Sequence, residues 1–335
     1  MGVSAAVASD TLLLASGTFQ GPGNRDIDLE GKAIVLRSKA GDPAACVIDC
    51  EGTSAQPHRG LLFLSAEPAG CRVEGIAIVN GYAGGVLGSR GGAILMTEDA
   101  RPIFENCWII GGTALSGGGI YLDRASPTFR TSLIVGNFAA IAGGGVVCQN
   151  NAWPLFEECV FARNLADVGG GLFCEWSLPT IRSCTFVANG AAIAGGIGIF
   201  AASTAILENT IIAFGTRAAA VACEDGGAIL TCCDLYGNSG GDWTGCIASQ
   251  ENVNGNITLD PLFCDPENGD YHLHADSPCA PGGPVHPGCG LIGAWGAACG
   301  PTGTQIDSWG GLKARFRAQV TEGQAARTTT AEGAP

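Results

Sequence analysis

Short apolar runs alternate with glycine clusters and polar segments along most of the chain, and this pattern repeats with a step of 26 residues. Each unit begins with a glycine cluster and an apolar run, passes through a polar segment usually closed by proline, and ends in a second apolar run. The runs carry the β-branched and aromatic residues that favour strands. A fixed step of this length indicates stacked supersecondary units, which begin at Gly91, Gly117, Gly143, Gly169 and Gly195.

Two repeat architectures fit this step. The segment from Phe156 to Asn164 matches a leucine-rich repeat, which needs a helix or a 3₁₀ segment on its return path. Residues 91–215 lack helical periodicity, and the return path is a glycine cluster followed by another strand. The sequence therefore predicts an all-β fold, a single right-handed parallel β-helix with coils of about 26 residues.

Stacked coils align equivalent residues into columns about 4.8 Å apart. Two apolar columns are predicted to form the core: Phe104, Phe129, Phe156, Ile181 and Leu207, and Ile109, Ile134, Phe161, Phe186 and Ile212. A third column alternates in charge through Glu105, Arg130, Glu157, Arg182 and Glu208. We interpret this column as an outward ion-pair ladder that fixes register, in preference to a strip that binds a charged ligand.

The period weakens towards both ends of the chain. Residues 11–90 are predicted to form less regular coils, and residues 216–250 to continue the stack, with Gly226-Gly227 as a further glycine start. We expect the β-helix to occupy residues 1–300, with a cysteine-rich segment, residues 251–300, that closes its C-terminal end. Residues 301–335 are predicted to be a tail, with a short amphipathic stretch at 305–318 and disorder beyond it.

The 16 cysteines fall into two groups. Inside the repeats, Cys107, Cys159 and Cys184 share a column with Ser132 and Thr210, which indicates small core residues. Seven others lie in loops and are predicted to form disulfides of undetermined pairing: Cys232, Cys233, Cys246, Cys264, Cys279, Cys289 and Cys299. Disulfides favour an extracellular or cell-surface location, although no signal peptide is visible at the start of this chain.

Charge and hydropathy bear on partners. The net charge of −14 disfavours nucleic acid and anionic membranes. No apolar run is long enough to span a membrane.

Several segments resemble those of known β-helix proteins. Asp10–Phe19 is similar to a first coil, and Asp260-Pro261-Leu262-Phe263 to a last coil. Over residues 11–300 the chain resembles the right-handed parallel β-helix proteins with a pectate-lyase-like fold. Its Gly-Gly-Ala-Ile strings at 91–94 and 226–229, and its Phe-x-x-Asn strings at 161–164 and 186–189, are similar to repeats of polymorphic outer-membrane adhesins. The resemblance implies a fold and leaves the activity open.

The loop edge that follows the first strand of each unit is the best candidate site. A β-helix lyase needs a basic residue beside a carboxylate-bound Ca²⁺, and a glycoside hydrolase needs paired carboxylates, but neither pattern is evident in the sequence. Stacking gathers acids, arginines, amides and indoles at this edge instead, as a glycan site would require: Glu98, Asp99, Arg101, Asp123, Arg124, Asn150, Asn151, Trp153, Glu175 and Trp176. Solvated turns are the alternative interpretation.

No cofactor and no metal site is predicted. Ca²⁺ stays open as an alternative at Asp265, Glu267, Asn268 and Asp270, although their spacing favours a plain turn. Zinc was considered at the cluster His272, His274, Cys279, His286 and Cys289, where disulfides and surface histidines are favoured.

Three functions fit these observations. The first is a non-catalytic extracellular or cell-surface scaffold for glycan binding or adhesion, whose partner is a polysaccharide or a cell-surface component. The second is a polysaccharide lyase or glycoside hydrolase that acts at the loop edge. The third is a purely structural surface-layer or filament protein.

Overall fold

Three long parallel sheets run along the molecule, and the chain adds one strand to each of them in nearly every coil. The computed structural model describes residues 2–84, 88–281 and 288–300. Successive coils stack through backbone hydrogen bonds between strands one coil apart in sequence.

The strands group as follows. Sheet A contains β1 (Thr11–Leu14), β4 (Val35–Ser38), β7 (Arg72–Glu74), β10 (Ile103–Glu105), β14 (Thr128–Arg130), β18 (Leu155–Glu157), β21 (Thr180–Arg182), β24 (Thr204–Glu208) and β27 (Gly227–Thr231). Sheet B contains β2 (Gly17–Phe19), β5 (Cys46–Asp49), β8 (Ala77–Val79), β11 (Trp108–Ile110), β15 (Leu133–Val135), β19 (Val160–Ala162), β22 (Thr185–Val187), β25 (Ile211–Ala213) and β28 (Asp234–Tyr236). Sheet C contains β3 (Ile27–Asp28), β6 (Leu61–Phe63), β9 (Ile94–Met96), β13 (Ile120–Asp123), β17 (Val146–Gln149), β20 (Leu172–Glu175), β23 (Ile197–Phe200) and β26 (Val221–Glu224).

The remaining elements are short. Between sheets B and C lie the paired strands β12 (Thr113–Ser116) and β16 (Phe138–Ala142). The C-terminal segment forms a three-stranded sheet of β29 (Phe263–Asp265), β30 (Asp270–His274) and β31 (Ala297–Cys299). The helical elements are α1 (Gly2–Ala5) and the 3₁₀ turns Pro43–Ala45, Gly245–Gln250 and Pro266–Asn268.

The predicted columns lie in the core, together with the inward side chains of sheet C. Phe104, Phe129 and Phe156 are paired in register and fully buried, with ring centroids 4.6 and 5.4 Å apart. The rings of Phe161 and Phe186 stack at 4.2 Å in the neighbouring column. The predicted all-β parallel β-helix with coils of about 26 residues is therefore confirmed.

The charged column forms an ion-pair ladder on the outer face of sheet A from Arg130 to Glu208, whereas Glu105 pairs with Arg72 of the preceding coil and not with Arg130. Arg130 contacts Glu157 at 2.9 Å, and Arg182 contacts Glu208 at 2.8 Å. One coil before the predicted ladder, Arg72 bridges Glu74 at 2.6 Å and Glu105 at 2.7 Å. Because these pairs are solvent-exposed, each contributes a few tenths of a kcal/mol, and their main effect is on register.

A ladder of buried asparagines holds the bend between sheets B and C. The amide of Asn164 accepts hydrogen bonds from the backbone and side chain of Asn137 at 3.0 and 2.9 Å, and donates to Asn189 at 3.0 Å and to the Ile134 carbonyl at 2.8 Å. The glycines that follow let neighbouring coils approach closely, because a Cβ on Gly144 would lie 2.5 Å from the Leu165 oxygen.

The proposed glycine start at Gly226-Gly227 was wrong. β26 pairs with β23 and takes the place of the strand that follows a glycine cluster. The residues before β26 that stack on the glycine cluster Gly195-Gly196 are alanines. The N–H groups of Gly195 and Gly196 donate to the Ala219 and Ala220 carbonyls at 2.9 and 3.2 Å. Gly227 instead begins β27, which pairs with β24 in sheet A. The Gly-Gly-Ala-Ile string matches the glycine start of a unit, but the strand that contains it pairs within sheet A and not within sheet C.

The C-terminal segment lies along the side of the β-helix. Tyr271 and Ala294 pack on Leu133 and Val160 of the outer face of sheet B. Residues 251–300 were predicted to close the C-terminal end of the β-helix. The residues that join the main core at this end are Trp243 and Ile247, which come before that segment. The division into a β-helix of residues 1–300 and a tail stays a prediction, and the tail with its 305–318 stretch lies outside the described residues.

Three disulfides join described residues: Cys223–Cys246, Cys232–Cys289 and Cys264–Cys299. The prediction of disulfides was wrong for Cys233 and Cys279, which are free and buried. Cys233 points inward, and its thiol donates to the Leu207 carbonyl at 3.6 Å, whereas Cys232 points to the surface and pairs. Cys223, whose disulfide was not predicted, lies in register with Ile199 and Cys174 of the two preceding coils.

A buried carboxyl group lies under the C-terminal segment. Asp234 accepts hydrogen bonds from the Leu259 N–H at 3.0 Å and from the Cys279 thiol at 3.1 Å. Burial raises the pKa of this carboxyl to about 7. The folded state therefore favours its neutral form.

We expect Asn164→Ala to lower the free energy of unfolding by about 3 kcal/mol or more, because it leaves buried donors and acceptors without partners. Urea denaturation followed by circular dichroism measures the change. Thr180→Ala, on the half-buried outer face of sheet A, is the control and should cost under about 1 kcal/mol. Equal losses in the two variants would contradict the ladder's role.

We expect the contribution of Asp234 to stability to fall as pH rises from 3.8, the ordinary pKa of this carboxyl, towards its folded value of about 7. The sign follows because a raised pKa means that the folded state binds the proton more tightly, so its stabilisation is complete below 3.8 and is lost on ionisation. Asp234→Asn should flatten this part of the pH profile relative to the unmodified protein. Parallel profiles in urea denaturation would show that the prediction fails.

Candidate functional site

The loops from sheet C to sheet A, here called the edge, turn sharply in every coil. The edge comprises six of these loops, each taken with the last residue of the sheet C strand before it: residues 96–102, 123–127, 149–154, 175–179, 200–203 and 224–226. Each loop begins with left-handed backbone, with φ of 56° at Glu98, 55° at Arg124 and 47° at Trp176. Ala100 and Ala125 are buried beneath the turn, so the larger side chains beside them project outward.

Polar side chains on the edge connect adjacent coils. Arg124 contacts Glu98 at 2.7 Å, and Asn150 donates to Asp123 at 3.0 Å. The amide of Gln149 donates to Glu175 and accepts from the Tyr121 hydroxyl. Sequence reasoning missed Gln149, although its place between Asp123 and Glu175 in one column could have identified it.

Two indoles and one leucine are exposed on the edge. Trp153 is 59% exposed, Trp176 51% and Leu178 46%. Leu178 occupies the same position as Trp153 one coil later, since Leu155 pairs with Thr180. The predicted residues Asn151 and Trp176 meet through their backbones at 2.7 Å. The sequence analysis did not predict Leu178, although its position one coil after Trp153 in the repeat could have identified it.

Asp99 and Arg101 lie at the N-terminal end of this set. Both are exposed, and the Arg101 N–H donates to the Glu67 carbonyl at 2.7 Å. Neither side chain forms a hydrogen bond or ion pair with the residues that the structure describes. The edge thus places these two residues in reach of solvent and leaves them outside the network of Arg124 and Gln149.

The family follows from the sequence of the coils. The chain matches the family model described as a right-handed β-helix region over residues 24–212 and 86–257. It belongs to the right-handed β-helix family. The predicted handedness and family are therefore confirmed.

The structure of this right-handed β-helix protein is similar to the crystal structure of pectate lyase Pel9A. The likeness has a TM-score of 0.54 at 14% sequence identity and covers 88% of this chain and 90% of that chain. At this identity it shows the shared fold alone. The search of curated proteins gave no match. The similarity of the repeats to outer-membrane adhesins stays a prediction.

The segments considered for metal ions make other contacts. Asp265 accepts from the backbone and side chain of Asn268 at 3.2 and 2.7 Å, as in a capped turn. His272 contacts Asp270 at 2.7 Å and stacks on Trp295 at 4.8 Å. In the described part of the chain, no group of three His, Cys, Asp or Glu residues is placed to hold a metal ion. His286 lies outside the described residues.

Within residues 2–84, 88–281 and 288–300, the structure has no helix of sufficient length and apolar character to cross a bilayer.

Proposed function

We propose that this protein is a non-catalytic extracellular or cell-surface scaffold that binds a glycan or a cell-surface component along the edge. The observation that carries the proposal is the exposure of Trp153 and Trp176 on adjacent coils. Large exposed aromatics on a soluble protein usually mark a binding surface. Indole faces suit the apolar face of a sugar ring.

The surroundings of the indoles support this proposal. Asn150 and Asn151 lie beside them and offer amide donors and acceptors to hydroxyl groups. The edge is built on stacked coils, so its side chains are positioned before the ligand arrives, which lowers the entropic cost of binding.

The proposed extracellular or cell-surface location is supported by the disulfides. Disulfides persist in oxidising compartments, and three join described residues of this chain. Both the disulfides and the pectate-lyase-like fold are consistent with an extracellular protein.

We expect Trp153→Ala and Trp176→Ala each to weaken glycan binding about fivefold to thirtyfold, because loss of a stacking platform removes roughly 1–2 kcal/mol. A glycan array followed by titration calorimetry measures the loss. Phe138→Ala, at an aromatic that is 37% exposed on another face, is the matched control and should bind normally. If the protein binds no glycan or cell surface, the proposal is wrong.

A second candidate, a polysaccharide lyase or glycoside hydrolase, is favoured by one pair of acids. Asp123 and Glu175 lie in one outward column with Gln149 between them. Their backbones are thus two coils, or about 10 Å, apart. Paired carboxylates at roughly 5–10 Å are used in glycoside hydrolysis.

If this second function is correct, Asp123→Asn or Glu175→Gln should lower depolymerising activity by about 10²-fold or more, since each removes an acid or base. Reducing-end and unsaturated-product assays on acidic and neutral polysaccharides, with and without Ca²⁺, test it. Glu158→Gln, at an exposed acid away from the edge, is the control. Activity that is unchanged in both edge variants would remove this candidate.

A further inference from the structure

The edge differs in charge between its two ends. At the N-terminal end, the guanidinium of Arg124 pairs with Glu98, and the net charge of Asp99 and Arg101 together is zero although the two side chains form no ion pair. At the C-terminal end, three successive coils contribute residues 172–178, 197–203 and 221–227, and these contain no lysine or arginine. They do contain Glu175, Glu224 and Asp225. We call these three segments the acidic end.

Aromatic rings lie among the carboxylates of the acidic end. Glu175, Phe200 and Glu224 occupy consecutive positions of one outward column. The ring centroids of Phe200 and Phe173 are 5.3 Å apart, and both rings lie beside Gly198. Trp176 follows Glu175 directly and is 51% exposed.

The carboxylates of the acidic end are open to solvent or nearly so. Glu224 and Asp225 are exposed, and neither side chain has an ion-pair or hydrogen-bond partner among the described residues. Glu175 is half-buried and accepts one hydrogen bond from Gln149, which leaves its other oxygen available. The disulfide from Cys223 to Cys246 anchors the strand that carries Glu224.

We propose that the acidic end selects a glycan with free amino groups, such as a glucosamine polymer, and excludes polyuronates. This inference rests on the proposed glycan-binding function and names its ligand class. Carboxylates on either side of an aromatic ring suit a protonated amine, which gains from both the charges and the ring face. A polyuronate would bring like charges to Glu175 and Glu224 in a protein whose net charge is −14.

The test compares three oligosaccharides of equal length: glucosamine, N-acetylglucosamine and galacturonate oligomers. Titration calorimetry is done at low salt and at a pH where both the carboxyl and amino groups are charged. We expect the glucosamine oligomer to bind at least tenfold more tightly than the N-acetylated one. The difference should shrink as salt is added, because exposed charges are screened.

Variants assign the selectivity to the acidic end. Glu175→Gln and Glu224→Gln should each weaken binding of the glucosamine oligomer about threefold to tenfold, and each should weaken it more than binding of the N-acetylated oligomer. Glu158→Gln, at an exposed acid outside the edge, should change neither. Trp176→Ala should weaken both oligomers alike.

The outcomes separate the two proposals. If the protein binds the N-acetylated or galacturonate oligomer as tightly as the glucosamine one, the amino-sugar inference is overturned and glycan binding stands. Equal effects of Glu158→Gln and Glu224→Gln would also overturn it. If none of the three oligomers and no glycan on the array binds, the proposed function fails, and the inference fails with it.

Discussion

Each coil has to align its strands with those of the coil before it, and the other features of the structure depend on this register. Side chains alternate between the inside and the outside of a strand, so a slip of one residue would move Phe156 to the surface and Glu157 into the core. The asparagine ladder around Asn164 holds the register from within, and the ion pairs of Arg130 and Arg182 hold it from outside. Each exposed ion pair is weak, whereas each buried asparagine is costly to remove, and both devices recur from coil to coil.

The periodic part of the fold could be predicted because equivalent positions repeat a single environment. The Phe104 and Ile109 columns and the ladder of Glu105 and Arg130 were read from spacing alone, and the structure pairs them in register. The Gly226-Gly227 string misled because a motif match carries no information about which sheet a strand joins. Cys232 forms a disulfide and Cys233 stays free because the two neighbouring side chains point in opposite directions. The loop-like composition around them gave no indication of this strand alternation.

The candidate site could be located from the sequence, but its contacts could not. Corners of the coils tolerate varied residues, since only a small side chain such as Ala100 has to point inward there. The edge could therefore be identified as the part of the repeat in which equivalent positions carry different residues from coil to coil. Which acids are neutralised depends on side-chain reach across coils, so the pairing of Glu98 with Arg124 and the exposure of Glu224 appeared only in the structure. The same scaffold thus presents a balanced end and an acidic end.

The distribution of thiols has a consequence for the order of assembly. Among the described residues, Cys223 is the first along the chain that forms a disulfide. Eight free and buried cysteines precede it: Cys46, Cys50, Cys71, Cys107, Cys148, Cys159, Cys174 and Cys184. In an oxidising compartment, an unfolded chain would expose all of them to incorrect pairing. Burial raises the pKa of the Cys107 thiol to about 12, so a stacked coil protects its own cysteines by suppressing the reactive thiolate. Coils that stack from the N-terminus as the chain emerges would leave mainly the late cysteines for oxidation, so the direction of synthesis itself would guide correct bond formation.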